Sequence, residues 1–107
     1  IYKGKYIEFE AKETQKKTSF PLANFHEHQL KYIKKVIQHG GICFIIIKMN
    51  NQIFLLKGED LIKFIDENTR KSIPYEYLEK KGYVIKEKYN PALDYLKIVD
   101  EAYLERI

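Results

Sequence analysis

The sequence has one cysteine, no tryptophan, three prolines and no apolar run longer than six residues. A lone thiol, Cys43, cannot form an internal disulfide, and without a cysteine pair a zinc finger is excluded. The longest apolar run, Ile42 to Ile47, is far shorter than the roughly 20 residues that a membrane helix needs. These absences predict a protein of a reducing compartment, which we expect to be cytoplasmic and without a membrane partner.

The composition is that of one small folded domain with a basic surface. The chain has 107 residues, and 45% of them are hydrophobic, enough for one modest core. Lys and Arg number 19 against 15 Asp and Glu, which gives a net charge of +4. That balance permits an anionic partner such as DNA, although many small domains carry a similar charge without one.

The pattern of apolar residues predicts an α/β domain. Residues Tyr6 to Lys12 alternate apolar and charged side chains, as in a strand with one buried face made by its apolar residues. Asn24 resembles the N-cap of a helix that stops at Gly40-Gly41, with Glu27 placed to complete a capping box. The run from Ile42 to Ile47 predicts a central strand that is buried on both faces.

Weaker patterns complete the predicted fold. The Asn50-Asn51 turn predicts that the following strand returns antiparallel to the buried one. The remaining predicted elements are a strand over Gln52–Leu56, a helix over Asp60–Glu67, a short helix capped by Ser72 with Pro74 in its first turn, an extended piece over Tyr83–Ile85 and a helix from Asn90-Pro91. This order indicates a mixed central sheet flanked by helices.

Chemistry is concentrated on the first strand. Glu10 and Lys12 are two residues apart, so the pleat places both side chains on one face, together with Glu8. A carboxylate can hold Mg²⁺, and an adjacent ammonium can orient water or stabilise charge on a phosphate during phosphodiester hydrolysis. The alternative is a solvated face with a weak ion pair, which is the usual meaning of such a pattern.

A longer stretch resembles the RecU family of Holliday-junction resolvases. Its signature is matched by the run from Tyr2 to Thr14, which contains Glu10-Ala11-Lys12. Further matching blocks follow in order through nearly the whole chain: Lys17–Leu22, Asn24–His26, His28-Gln29, His39–Phe44, Lys71–Pro74 and Leu93–Tyr95.

The resemblance implies a restriction-endonuclease-like PD-(D/E)xK core and a Mg²⁺-dependent enzyme. Such enzymes act as homodimers that nick four-way DNA junctions in pairs, in recombination and DNA repair, with recombination and branch-migration proteins as possible partners near the nucleoid. By position, Glu10 would be the metal-binding carboxylate, Lys12 the catalytic lysine, and the Ala11 carbonyl a further metal ligand.

The resemblance also sets an expectation for the extent of the domain. Residues 1–107 would form a single nuclease-core domain without the family's N-terminal helix and first strand. A catalytic aspartate of the motif would then fall just upstream of Ile1.

Several polar residues near the first strand are candidates for DNA contact. Lysines commonly contact phosphates, but the same residues also commonly form a solvated edge. A helix glutamine points toward the site in some nucleases of this class. The candidates are Lys3, Lys5, Thr14, Lys16, Lys17 and Gln29. His26 and His28 are expected to point to different faces of a helix and therefore not to share a metal ion.

Two other functions stay open at this stage. The chain could be a module that binds junction DNA or a recombination partner without cutting, or an α/β domain whose charged strand is incidental. The presence of a carboxylate shortly before Ile1 would favour the enzyme over the binding module.

Overall fold

The described part of the protein forms a four-stranded mixed sheet covered on one face by three helices. The computed structural model describes Gly4, residues 6–86, Val99, Ala102 and Tyr103. The strands of the sheet lie in the order β1 (Ile7–Glu13), β3 (Ile42–Met49), β4 (Gln52–Lys57) and β6 (Tyr83–Val84). The predicted α/β class with a mixed sheet is confirmed.

The strand β3 is the centre of this sheet. It pairs in parallel with β1 and antiparallel with β4, and β4 pairs antiparallel with β6. Its first six residues, Ile42 to Ile47, are all buried, as the uninterrupted apolar run predicted. The turn after it places Asn50 and Asn51 at φ of 52° and 61°, a backbone region that asparagine tolerates better than most residues.

The helices α1 (Glu27–Gln38), α2 (Gly58–Glu67) and α3 (Tyr75–Lys81) contribute to one core cluster on a single face of the sheet. From the sheet this cluster takes odd-numbered β3 residues and even-numbered β4 residues, and from the helices it takes Ile33, Val36, Leu61, Phe64 and Leu78. A smaller cluster on the other face contains Ile42, Phe44, Ile46, Leu55, Ile85 and Val99.

A small second sheet fixes the start of α1. The strand β2 (Ser19–Pro21) pairs antiparallel with β5 (Ser72–Pro74), and a 3-10 turn over Leu22–Asn24 leads from β2 toward α1. Phe20 and Ile73 face each other in this ribbon and are fully buried. The ribbon therefore anchors the beginning of the chain segment that leads into α1.

Three predicted boundaries were wrong. Asn24 does not cap α1; the N-cap is His26, because a 3-10 turn occupies Leu22–Asn24. Ser72 is not a helix cap, because Ser72–Pro74 pairs with β2 and the helix begins after Pro74. The helix predicted over Asp60–Glu67 begins two residues earlier, at Gly58.

The helix predicted from Asn90-Pro91 starts outside the described residues. Within the part of the chain that the structure describes, no helix is long and apolar enough to cross a membrane.

Gly58 is required where α2 starts against β3. A Cβ at this position would lie 2.8 Å from the carbonyl oxygen of Cys43 and 3.0 Å from the Ile33 side chain. We therefore expect Gly58→Ala to lower the free energy of unfolding by about 1–3 kcal/mol through overpacking. Urea unfolding of the intact gene product measures this. Glu59→Ala, at the next and exposed position, is expected to change it by less than about 0.5 kcal/mol. Equal unfolding midpoints for the two variants would contradict the close approach.

Candidate active site

The charged face of β1 lies toward α1 and the larger core cluster. Glu8, Glu10 and Lys12 pair in register with Cys43, Ile45 and Ile47, the β3 residues of that cluster. All three charged side chains are half-buried. The predicted placement of Glu10 and Lys12 on one face is thus confirmed by the strand geometry.

The apolar face of β1 is the more exposed one, which reverses the expectation from sequence. Phe9 is 51% exposed, and Ala11 is also exposed. The Phe9 ring stacks on Phe44 with centroids 5.4 Å apart, but β1 is the edge strand and the described residues leave its outer side uncovered. The alternating pattern identified the two faces correctly and assigned the buried one wrongly, because the helices cover the charged face.

The ammonium of Lys12 is held by the N-terminal turn of α1. Its Nζ donates a hydrogen bond to Gln29 Oε1 at 3.0 Å. The same Nζ lies 5.5 Å from the centroid of the Phe25 ring, within the range of a cation–π contact. An ammonium has three donors, so two remain for water or a phosphate.

Glu10 is available as a ligand. Its carboxylate is half-buried, yet it has no hydrogen bond or ion pair to any residue that the structure describes. A charged group withdrawn from water without a partner is costly, and a bound cation would remove that cost. A carboxylate in this position can accept a hard cation such as Mg²⁺.

The carbonyl of Ala11 is also free of the sheet. Tyr6 accepts a backbone hydrogen bond from Ile42, and Thr14 donates one to Lys48. Even-numbered residues of β1 therefore direct their backbone groups toward β3, and odd-numbered residues direct theirs away. The Ala11 carbonyl thus points to the outer edge of β1, where the described residues supply no strand.

These oxygen donors fit a hard cation such as Mg²⁺, which prefers carboxylate and carbonyl oxygens and retains waters. They do not make a full set of protein ligands by themselves. Among the described residues there is no group of three or more His, Cys, Asp or Glu side chains that could hold a metal ion. The aspartate expected upstream of Ile1 lies outside the sequence, so its role stays a prediction.

The sequence reasoning missed a polar cluster at the start of β1. The Tyr6 hydroxyl donates a hydrogen bond to the Glu8 carboxylate and lies 3.2 Å from the Tyr32 hydroxyl on α1. The bond to Glu8, followed by the one to Tyr32, raises the pKa of Tyr6. The period of two along β1 could have placed Tyr6 on this face, but nothing in the sequence pairs it with Tyr32.

The predicted DNA-contact residues are partly brought together. Gln29 lies in the site beside Lys12. Thr14 closes the turn after β1, where its Oγ1 accepts a hydrogen bond from the Lys16 amide at 3.2 Å. Lys16 and Lys17 are exposed in this turn. Lys3 and Lys5 lie outside the described residues.

The two histidines near α1 lie together rather than apart. The rings of His26 and His28 are parallel, with centroids 5.6 Å apart. The expectation of different faces failed because His26 precedes the helix in extended conformation, at φ −78° and ψ 153°. With no third candidate ligand near them among the described residues, the pair gives no support to a metal role.

Comparison with known proteins identifies the family. The family model of Recombination protein U matches residues 1–101. This chain belongs to the RecU family. The resemblance stated from the sequence motifs is therefore confirmed.

Individual relatives agree with the RecU assignment. The chain is 52% identical over 106 residues to the Holliday junction resolvase RecU of Pediococcus pentosaceus, covering 94% of the chain and 53% of the relative. It is 48% identical over 106 residues to the protein of that name from Bacillus subtilis, covering 96% and 52%. It is 47% identical over 108 residues to the Holliday junction resolvase RecU of Geobacillus sp. (strain WCH70), covering 96% of the chain and 54% of the relative. The chain thus spans about half the length of the curated relatives it matches.

The reactivity of Cys43 reports on the packing beneath the charged face of β1, because Cys43 on β3 pairs in register with Glu8. Burial, and secondarily the Glu8 charge, raises the pKa of this thiol to about 12. At pH 8 only about 1 in 10⁴ molecules would carry the reactive thiolate. We expect iodoacetamide to spare the Cys43 peptide in the folded protein and to modify it in urea, as followed by mass spectrometry. Rapid modification of the folded protein would contradict this packing.

Proposed function

We propose that this chain forms the catalytic core of a Mg²⁺-dependent endonuclease that resolves four-way DNA junctions by paired nicking. The observation that carries the proposal is the charged face of β1. There a half-buried Glu10, which has no partner among the described residues, lies on the same face as Lys12, whose ammonium is hydrogen-bonded to α1. Membership in the RecU family, whose relatives are named Holliday junction resolvase, supports the substrate class.

In this proposal the Glu10 carboxylate and the Ala11 carbonyl hold the metal. Mg²⁺ bound there would supply the Lewis acidity that hydrolysis of a phosphodiester at neutral pH requires. Both donors belong to one strand that is paired along its whole length with β3, so their spacing is fixed by the sheet. A rigid strand holds such groups more accurately than a loop.

Lys12 would act on the phosphate. Its two remaining N–H donors can bind a non-bridging oxygen and stabilise the negative charge that grows there as water attacks. Because the ammonium is preorganised by Gln29 and Phe25, little reorganisation is needed during reaction. The adjacent positive end of α1 further favours an anion in this place.

The lysines of the turn after β1 would bind the DNA backbone on either side of the cut. Lys16 and Lys17 are exposed and follow Thr14, which closes the turn. Action as a homodimer, contact with recombination or branch-migration proteins, and a cytoplasmic, nucleoid-associated location are parts of the same proposal. They rest on the resemblance to the family.

A junction-binding module without nuclease activity is the second candidate. It is favoured by one observation, namely that the described residues contain no complete cluster of metal ligands. This candidate predicts tight binding of junctions by the intact gene product without any nicking.

The catalytic assignment is tested by Glu10→Gln and Lys12→Met in the intact gene product. Each change removes a charge from the site at nearly constant volume, so we expect the single-turnover rate of junction nicking to fall by at least about 100-fold. Affinity for the junction without metal is expected to stay within about threefold, because backbone contacts elsewhere dominate binding. Nicking of an end-labelled four-way junction and a gel-shift titration measure the two quantities.

Glu79→Gln is the matched control, since this carboxylate is exposed on α3, away from β1. Its nicking rate should equal that of the wild type. A Glu10→Gln protein that nicks at the wild-type rate would remove Glu10 from the site. A wild-type protein that binds without nicking would favour the second candidate.

Phosphate contact by the turn is tested by the salt dependence of binding. Lys16→Ala and Lys17→Ala should each reduce the slope of log K against log salt concentration by about 1, because one fewer counterion is released. Lys63→Ala, at an exposed position of α2, should leave the slope unchanged. Identical slopes for all four proteins would show that the turn does not contact the backbone.

A further inference from the structure

One oxygen atom links the candidate catalytic lysine to the start of α1. Gln29 Oε1 accepts a hydrogen bond from Lys12 Nζ at 3.0 Å and another from the backbone N–H of His26, also at 3.0 Å. A carboxamide oxygen has two lone pairs, so these two donors saturate it. The Gln29 side chain is half-buried, and the backbone N–H of His26 sets its orientation.

We propose that Gln29 is a positioning residue, which holds the Lys12 ammonium in place because the His26 amide holds Gln29. This inference rests on the proposed nuclease function and adds to it the element that orients the lysine. Gln29 acts through Lys12 and through no contact of its own with the DNA.

The electrostatics at the start of α1 explain why the Lys12 ammonium needs a positioning residue. Gln29 is the third residue of α1, so the ammonium that it binds lies beside the positive end of the helix dipole, where a cation is disfavoured. A lysine side chain has a long flexible stem and would otherwise extend into water. The Gln29 oxygen and the Phe25 ring counter this tendency from adjoining positions at the helix start.

The helix start is itself firmly placed. Phe25 is buried and packs against Phe20 of the small sheet, with ring centroids 5.7 Å apart. The amides of Gln29 and Leu30 both donate to the His26 carbonyl, which fixes the first turn. The path from the β2–β5 ribbon to the lysine therefore runs through buried or hydrogen-bonded groups.

The chain offers a pair of variants that isolates the His26 amide. His26 has φ −78°, close to the value of about −65° that proline requires, and Phe25 before it is extended at φ −100° and ψ 124°. His26→Pro removes the imidazole and the N–H, whereas His26→Ala removes the imidazole alone. The difference between these variants reports the N–H to Gln29 bond.

A second pair tests Gln29. Gln29→Met removes the acceptor at similar size, and Gln29→Glu restores an acceptor oxygen at the same reach. Gln38→Met is the control, because Gln38 is the exposed last residue of the same helix.

In the intact gene product we expect Gln29→Met to lower the single-turnover nicking rate at saturating Mg²⁺ by about 10- to 100-fold, because the lysine is misplaced. Gln29→Glu should recover part of that loss, and His26→Pro should be slower than His26→Ala. Junction affinity should change by less than about twofold in every variant, because the contacts to the DNA backbone are retained.

A spectroscopic measurement keeps the inference separate from the nuclease proposal. The two Lys12 Hε protons should have distinct NMR shifts in the wild type, Gln38→Met and His26→Ala, and should average in Gln29→Met and His26→Pro. If the wild type binds junctions without nicking but shows this pattern, the nuclease proposal fails and the positioning inference stands. Averaged Hε shifts in the wild type would overturn the inference. Recovery of the Gln29→Met nicking rate at high Mg²⁺ would also overturn it, because that result would assign Gln29 to the metal.

Discussion

The parallel pairing of β1 with β3 is the interaction on which the site depends. Because β3 is buried on both faces, its register with β1 decides which side chains of the edge strand meet the helices. In the observed register, Glu10 lies beside Ile45, and the charged residues face α1. A shift by one residue would turn Glu10 and Lys12 away from α1 and place Phe9 and Ala11 against it.

The helix start and the strand form one unit. Lys12 from β1 meets Gln29 and Phe25 from the segment that enters α1, and that segment is tied to the body of the protein by the β2–β5 ribbon. One strand of this ribbon, β5, is far from Lys12 in sequence, yet through β2 it helps to fix the position of the lysine. Glu10, by contrast, has no side-chain partner among the residues that the structure describes, so its carboxylate can accept a ligand.

Much of this arrangement was predictable from the sequence. The buried run from Ile42 to Ile47, the Asn50-Asn51 turn and the shared face of Glu10 and Lys12 follow from strand periodicity. Which face of β1 is buried could not be predicted from the sequence. Alternation shows that the two faces differ, but it does not show which one the helices cover. The His26 cap and the Tyr6–Tyr32 contact also escaped, because each depends on tertiary packing that no local pattern records.

The most direct test of the account is Mg²⁺-dependent nicking by the intact wild-type gene product. A labelled four-way junction and a linear duplex of the same sequence would be compared at equal concentration. Paired nicks are expected in the junction when Mg²⁺ is present, with no nicks in the absence of Mg²⁺ and little cleavage of the duplex. Tight binding of the junction with no nick at any Mg²⁺ concentration would contradict a catalytic site on β1.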